Sequence, residues 1–442
     1  MDENELMGSM KVSKAVAKMA IPSVISSLVT VVYNMADTFF VGQTGDPLQV
    51  AAVSQTNPIF ILFMAFANMF GMGGSAAASM ALGEKKEKRV KQVSSFITYA
   101  SLIVGIVFAV ILLAGMQPVL QLFGADADTY ELAKGYTTYI SYGAPFIIWS
   151  AAASFVVRSD GASREAMTGS MIGTVANIIL DPIFISGFGM GAAGAAIATT
   201  IGNIMASVYY LWYFCRKSRN MSMAFRYFKC GDRILSQVCS AGLPTAIFSA
   251  LMSISTIILN QILVAYGNAP VAAIGIVFKA NMFITFLQRG LANGVQPLLG
   301  YSYGAGNRER FITVERYTKK CCLIVGVLAT ALFFFFREPI IRLFISDTEV
   351  INYGVEMLIA YMISGPVIGI LFMNMNCMQS TGNALPATIL SILRQGVLLI
   401  PVLYGLNALL GLHGVIYGQA LTDYVAVLLS IVIWRWKRRK TL

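Results

Sequence analysis

An all-α integral membrane protein is the fold class this sequence predicts: twelve transmembrane helices in two six-helix lobes, related by a pseudo-two-fold axis along the membrane normal. Three observations lead there. The chain of 442 residues is 57% hydrophobic and only 12% charged. Apolar runs long enough to cross hydrocarbon, which takes about 20 helical residues, recur along its whole length. The second half also repeats the first. Lipid offers no water to unpaired backbone groups, so each run must be a helix or part of a closed barrel. The length of the runs and their lack of two-residue alternation exclude the barrel.

In order, the hydrophobic spans fall near 16–41, 51–82, 94–123, 134–157, 166–187 and 190–214, then near 234–266, 271–302, 317–346, 353–378, 384–409 and 411–435. Several exceed a straight crossing, so tilt or extension beyond the bilayer is expected. The net charge of +11 is a topology signal rather than a nucleic-acid one. With the N-terminus inside, 26 of the 32 Lys and Arg residues lie in the N-tail, the even-numbered loops and the C-tail. Lys134, Arg337 and Arg342 lie near outside ends, and Lys279, Arg289 and Arg394 lie within spans. The positive-inside rule then places both termini in the cytoplasm. The basic clusters read as solvated loops near anionic lipid. None of the six cysteines falls in an outside loop, so no disulfide framework is expected. The polar, acidic stretch from Met1 to Met10 does not read as a cleavable signal peptide, so the first span stays in the protein.

The repeat runs at a separation that drifts only from 222 to 220 residues. Ile21-Pro22 matches Leu243-Pro244, Gly45 matches Gly267, and Leu82-Gly83 matches Tyr303-Gly304. Gly143-Ala144-Pro145 aligns with Ser364-Gly365-Pro366, Asp160-Gly161 with Thr381-Gly382, and Gly191 and Gly194 with Gly411 and Gly414. Six spans per half is an even number, so both halves enter from the same side and the repeat is parallel. The division is residues 1–214 as the N-lobe, 215–233 as a basic cytoplasmic linker, and 234–442 as the C-lobe with its basic tail. Transporters built this way place substrate near the midplane between the halves.

The most informative residues are polar groups inside the spans. Asp37 lies near the end of span one, and Asp181, followed by Pro182, near the end of span five. A charge in hydrocarbon costs roughly 2.5–3.5 kcal/mol even on the permissive insertion scale. Asn177 and Asp181 are one helical turn apart and share a face, as do Thr199 and Asn203 in span six. Tyr136 and Tyr139 of span four lie at similar depth. This set suits reversible binding of a cation coupled to transport. Its oxygens suit a hard cation, and two nearby carboxylates could equally share a proton.

The C-terminal half carries Lys279, Arg289 and Arg394 against Asp423, a possible polar site in which Arg394 and Asp423 are placed to form an ion pair. Pro22 removes a helical hydrogen bond from span one, four turns below Asp37, and makes a candidate gating bend. Gly169–Gly173, Gly290–Gly294 and Gly414–Gly418 have the spacing of close helix packing. His413 is the only histidine, and it falls outside between spans eleven and twelve. No phosphate loop, nucleophile elbow or metal motif appears, which excludes an ATPase engine and leaves no catalytic or metal cluster to build on.

On these features the sequence resembles the multidrug and toxic compound extrusion (MATE) family. The features are Pro22 with Tyr33-Asn34-xx-Asp37-xxx-Val41-Gly42, the Gly83 loop, Arg158-Ser159-Asp160-Gly161, and Asn177-xxx-Asp181-Pro182 with Thr199 eighteen residues on. The resemblance implies two lobes in a V and export driven by a proton or sodium gradient, with no cofactor. It implies a cation-coupling site at Asp37, Asn177, Asp181 and Thr199, with Tyr136 or Tyr139 nearby. It also implies amphipathic, mostly cationic small-molecule substrates, a bacterial cytoplasmic (inner) membrane location among lipids, no nucleic-acid partner and action as a monomer. Some members use carboxylates in spans seven and ten. Here residues 234–266 contain no acid, and Glu356 of span ten lies near the outer end, which favours coupling centred on the N-lobe. The alternative is a lipid-linked precursor flippase, which Lys279, Arg289 and Arg394 keep open. An intramembrane enzyme lacks the residues it would need.

Overall fold

The computed structural model describes residues 3–231 and 233–442, so Met1, Asp2 and Asp232 lie outside it. Regular structure among the described residues is helical throughout. Spans one to four are Val12–Gly42, Pro47–Gly83, Glu87–Ala114 and Tyr130–Ser159. Span five is Ser163–Pro182, prolonged by a wide π-type turn, Ile183–Gly187, and span six is Gly191–Trp212, prolonged likewise through Tyr213–Lys217. Spans seven to nine are Ile234–Val264, Asn268–Gly304 and Arg308–Phe335. Span ten is the pair Thr348–Ile363 and Gly365–Ser380, which bends by 45° at Ser364. Span eleven runs Ala384–Leu410 with the π turn Leu393–Val397 inside it, and span twelve is Leu412–Thr441. Eleven single helices and the bent pair are thus long and apolar enough to cross a membrane, twelve spans in all.

Spans three and nine end sooner than the hydrophobic runs suggest. Each is followed by a short separate helix, Met116–Leu122 and Arg337–Arg342. The reason is the same in both halves. Pro118 and Pro339 have no N–H to give the carbonyls of Ala114 and Phe335, the last residues of the preceding helices, so the chain must turn. A hydrophobicity reading cannot see this, because the residues beyond the break are as apolar as those before it. His413 falls in the first turn of span twelve rather than in a loop, and its Nδ1 lies 2.5 Å from Glu356 Oε1.

The repeat appears as reciprocal packing. A Cβ on Gly83 would lie 2.2 Å from the Tyr301 carbonyl oxygen, and one on Gly304 would lie 2.1 Å from that of Met80. The two contacts exchange under the 221-residue offset, as expected of an isologous interface. Gly73 and Gly242 bring span two onto span seven at Val238 and Met69. Gly290 and Gly294 bring span eight onto span one at Val24, Ser27, Ala20 and Ser23. Among the described residues, these glycine contacts between the bundles all lie toward the side that carries the N-terminus and the basic loops.

The same side is tied further. Helix Glu3–Gly8 reaches across to the C-terminal bundle. There Arg310 Nε and Nη1 donate to the carbonyls of Met7 and Met10 at 2.8 Å, and its Nη2 donates to that of Leu6 at 3.2 Å. The linker is not a free solvated loop. Ser94 and Ser95 hydroxyls donate to the carbonyls of Ser222 and Ala224, and the Tyr99 hydroxyl to that of Met223. Asp160 caps span four and accepts from Tyr213, Ser218 and Asn220. Glu315, buried in span nine, accepts from Trp434 Nε1 at 2.7 Å and Lys319 Nζ at 2.5 Å.

Candidate cation-coupling site

Four helices bring the N-terminal site together. Span one contributes Tyr33 and Asp37, four residues apart on one face. Span four contributes Tyr136, span five Asn177 and Asp181, and span six Thr199. Helix five ends at Pro182, and this sets Asp181 at the point where the regular hydrogen-bond ladder gives way to a wide turn. Such π segments recur at functional sites.

Asp181 is fully buried, at 0% exposure. With the Asn177 amide oriented to satisfy both its neighbours, its nitrogen donates to Asp181 Oδ2 at 3.0 Å. Its oxygen then accepts from the Thr199 backbone N–H at 2.9 Å and from Thr199 Oγ1 at 3.2 Å. The Tyr33 hydroxyl lies 3.3 Å from Thr199 Oγ1. Behind them, Asn203 Nδ2 donates to the Thr199 carbonyl and its oxygen accepts from Ser150, both at 2.9 Å. Asp37 lies in electrostatic range of Asp181, and Tyr136 in range of both acids.

Asp181 Oδ1 is buried and has no hydrogen-bond partner among the described residues. A buried carboxylate oxygen of this kind is costly unless it carries a proton or meets a cation. The oxygens of Asp37, Thr199 and Tyr33 are hard donors, suited to a proton or a small alkali cation. Asn177, Asp181 and Thr199 are joined by hydrogen bonds, and Asp37 and Tyr136 lie within electrostatic range of them. Tyr139 behaves differently: the residue is 37% exposed, and its bonded group is the backbone carbonyl, which accepts from Thr200. Tyr33 belongs to the motif read from the sequence but not to the site residues expected there, though its four-residue spacing to Asp37 is a usable signal.

In the C-terminal bundle, Arg394 Nε donates to Asp423 Oδ1 at 2.8 Å, and both residues are buried. Gln419 Nε2 donates to the same oxygen at 3.0 Å. Arg289 and Arg394 share one aromatic platform, Phe248 and Phe372, which sequence patterning could not single out among 27 phenylalanines. Lys279 does not join them. It is exposed and lies ten residues, about 15 Å of helix, from Arg289. Pro22 lies within a helix that continues unbroken through it.

Two helical bundles that meet through glycines, the N-terminal one enclosing the buried Asp181 and the half-buried Asp37, form a multi-pass membrane protein of the transporter type. The MatE family model matches residues 22–183 and again residues 244–404, one match in each half, and the chain belongs to the MATE family. It is 32% identical over 422 residues to the multidrug export protein MepA of Staphylococcus saprophyticus subsp. saprophyticus, covering 96% of this chain and 93% of that one. MepA of Staphylococcus aureus strain NCTC 8325 matches at the same identity and coverage. A solved outward-facing structure of a multidrug resistance MATE family transporter of the MOP superfamily superimposes with a TM-score of 0.94 at 25% identity, covering 100% of this chain and 99% of that one. A MOP superfamily transporter from Pyrococcus furiosus Vc1, described as having a binding pocket of reverse polarity, matches with a TM-score of 0.93 at 26% identity, covering 99% and 98%.

Proposed function

We propose that this protein is a secondary multidrug exporter of amphipathic, mostly cationic compounds, working by proton- or sodium-coupled antiport with alternating access. The observation that carries the reading is Asp181: a fully buried carboxylate with one oxygen unpartnered among the described residues, held by Asn177 and Thr199 within range of Asp37. A proton or sodium ion arriving there neutralises the site. Loss of the charge removes its demand for solvation, so the helices around it can repack. A cationic drug and the coupling ion then compete for one pool of negative charge, which makes the exchange obligatory.

The lobes in this reading are residues 1–214 and 234–442, joined by 215–233. With the basic side cytoplasmic, the bundles meet on the inside, and this conformation faces outward. Both termini are then cytoplasmic, the membrane is the bacterial inner membrane, and one chain suffices. No enzymatic step is proposed. The test is ethidium efflux from reconstituted vesicles under an imposed proton or sodium gradient. Efflux that follows one gradient and stops with Asp181→Asn supports the reading; efflux indifferent to both gradients defeats it. Flipping of a lipid-linked precursor in the same vesicles, without ethidium movement, would assign the protein to the flippase alternative.

A further inference from the structure

We propose that the C-terminal bundle holds an oxyanion-binding subsite, built on Arg289 and Arg394, that takes the carboxylate or phosphate of an amphipathic ligand. The inference rests on the export reading for its setting and concerns a different bundle and the opposite charge. Its basis is a count of charges. Arg394 comes from the π turn Leu393–Val397 inside span eleven and is only 6% exposed. Its Nε is bonded to Asp423, but its Nη1 is buried without a partner among the described residues. Arg289 has no hydrogen-bond or ion-pair partner there.

The two guanidinium groups lie over the same two rings. Arg394 is 5.2 Å from the Phe248 centroid and 5.7 Å from that of Phe372; Arg289 is 5.4 and 5.7 Å from them. They are close enough to repel each other. Among the described residues, Asp423 is thus the one carboxylate bonded to this pair of cations, and it is bonded to Arg394 alone. A purely structural pair would be balanced, because an uncompensated buried charge is costly. The aromatic faces offset part of that cost by cation–π attraction, and they leave the guanidinium edges available. Those edges match a carboxylate or phosphate, which accepts two parallel hydrogen bonds.

Beside Arg289 the surroundings form a narrow cleft of mixed aromatic and polar lining. Arg289, Phe248 and Phe372 line a cleft with Asn293 and Asn376, and Met72 of the N-terminal bundle closes its other wall. Gln379, beside them, has a buried amide oxygen without a partner among the described residues. A ligand held here lies between the bundles with its anionic end on the arginines. The ligand class is an amphipathic compound bearing an oxyanion, a zwitterion among them.

The experiment measures binding to the full-length purified protein by titration calorimetry, which needs no ion gradient. The probe is an aromatic amino acid-type zwitterion compared with its methyl ester. The expected result is at least about tenfold tighter binding of the acid, the scale of a charge-assisted hydrogen-bond pair. Arg289→Gln should reduce that preference to about twofold, and Arg289→Lys should restore part of it. Equal affinity for acid and ester in the native protein, or an acid preference untouched by Arg289→Gln in a variant that melts normally, overturns the proposal. A second arm titrates the protein in nanodiscs of phosphatidylcholine with and without phosphatidylglycerol. Arg289-dependent competition by phosphatidylglycerol assigns the oxyanion to a lipid head group, and its absence beside an acid preference assigns it to the solute. Acid-selective binding with no gradient-driven movement in vesicles would keep the subsite and remove the export reading. Efflux without acid selectivity would do the reverse.

Discussion

Burial of Asp181 carries a cost that the proposed binding of a proton or cation would offset. Its carboxylate is sealed from solvent, yet only one of its oxygens has a partner among the described residues, the amide of Asn177. Replacing it by Asn retains the shape and removes the exchangeable charge. Asp37→Asn and Asp181→Asn are each expected to abolish gradient-driven efflux, to below about a tenth of the native rate, with expression and membrane insertion near normal. Either variant transporting with native gradient dependence would remove that carboxylate from the coupling site. The Arg394–Asp423 pair makes the opposite prediction, one about stability. Removing one partner of a buried pair strands a charge and typically costs about 3–5 kcal/mol, whereas replacing both by apolar groups can be neutral. Arg394→Met and Asp423→Leu alone should therefore each melt well below the double variant in detergent. Equal melting of singles and double would show that the 2.8 Å contact contributes nothing to folding.

Among the elements, the helix breaks carry the most information. Pro118 and Pro339 end spans three and nine at equivalent points of the two halves, and the 45° bend of span ten lies at Ser364, just before Pro366. Span one differs, since Pro22 lies inside a continuous helix with Asp37 on the same element. Pro22 leaves one backbone hydrogen bond unmade, so the helix can bend there at lower cost than elsewhere. Pro22→Ala is expected to retain drug and cation binding while slowing exchange between outward and inward states. Spin-label distances across the basic-side ends of the bundles, taken before and after acidification or sodium addition, measure this. Native transport together with native distance changes in the variant would show that the bend has no part in the cycle. Helix Glu3–Gly8 is a second element of interest, because Arg310 holds three of its neighbouring carbonyls from the opposite bundle. Arg310→Ala should free it, raising the rate at which a protease cuts within residues 3–11. An unchanged rate would mean that packing of Leu6 and Met7 alone holds the helix.

At the scale of the whole molecule, the bundles meet through glycines whose Cβ atoms would strike backbone across the interface. Gly83 against Tyr301 and Gly304 against Met80 form a reciprocal pair under the 221-residue offset. A side chain at either point cannot be absorbed by a rotamer change, because the obstructing atom is a carbonyl oxygen. Gly83→Val and Gly304→Val should each shift the population away from the basic-side-closed state, and comparably, because the two sites are equivalent. Longer mean spin-label distances across that side are the expected reading. Unaltered distances in a folded variant would mean that the interface yields by another route.

Composition, span count, the parallel repeat and the proximity of Asn177, Asp181 and Thr199 were all legible in the sequence. Hydrophobic length, positive-residue bias and a charge inside an apolar run are one-dimensional signals, because lipid penalises each residue almost independently of its distant neighbours. The pairing of Arg394 with Asp423 was readable from depth alone. Contacts across the chain were not readable in this way. The Tyr33–Thr199 contact, the shared Phe248–Phe372 platform and the exclusion of Lys279 from it depend on helix rotation and on which helices touch. The strapping of the linker onto span three, the docking of helix Glu3–Gly8 on Arg310 and the closure of one side of the molecule depend on close packing between elements far apart in sequence. Hydropathy is blind to that packing, because inside a membrane the lipid-facing and protein-facing sides of a helix are nearly equally apolar.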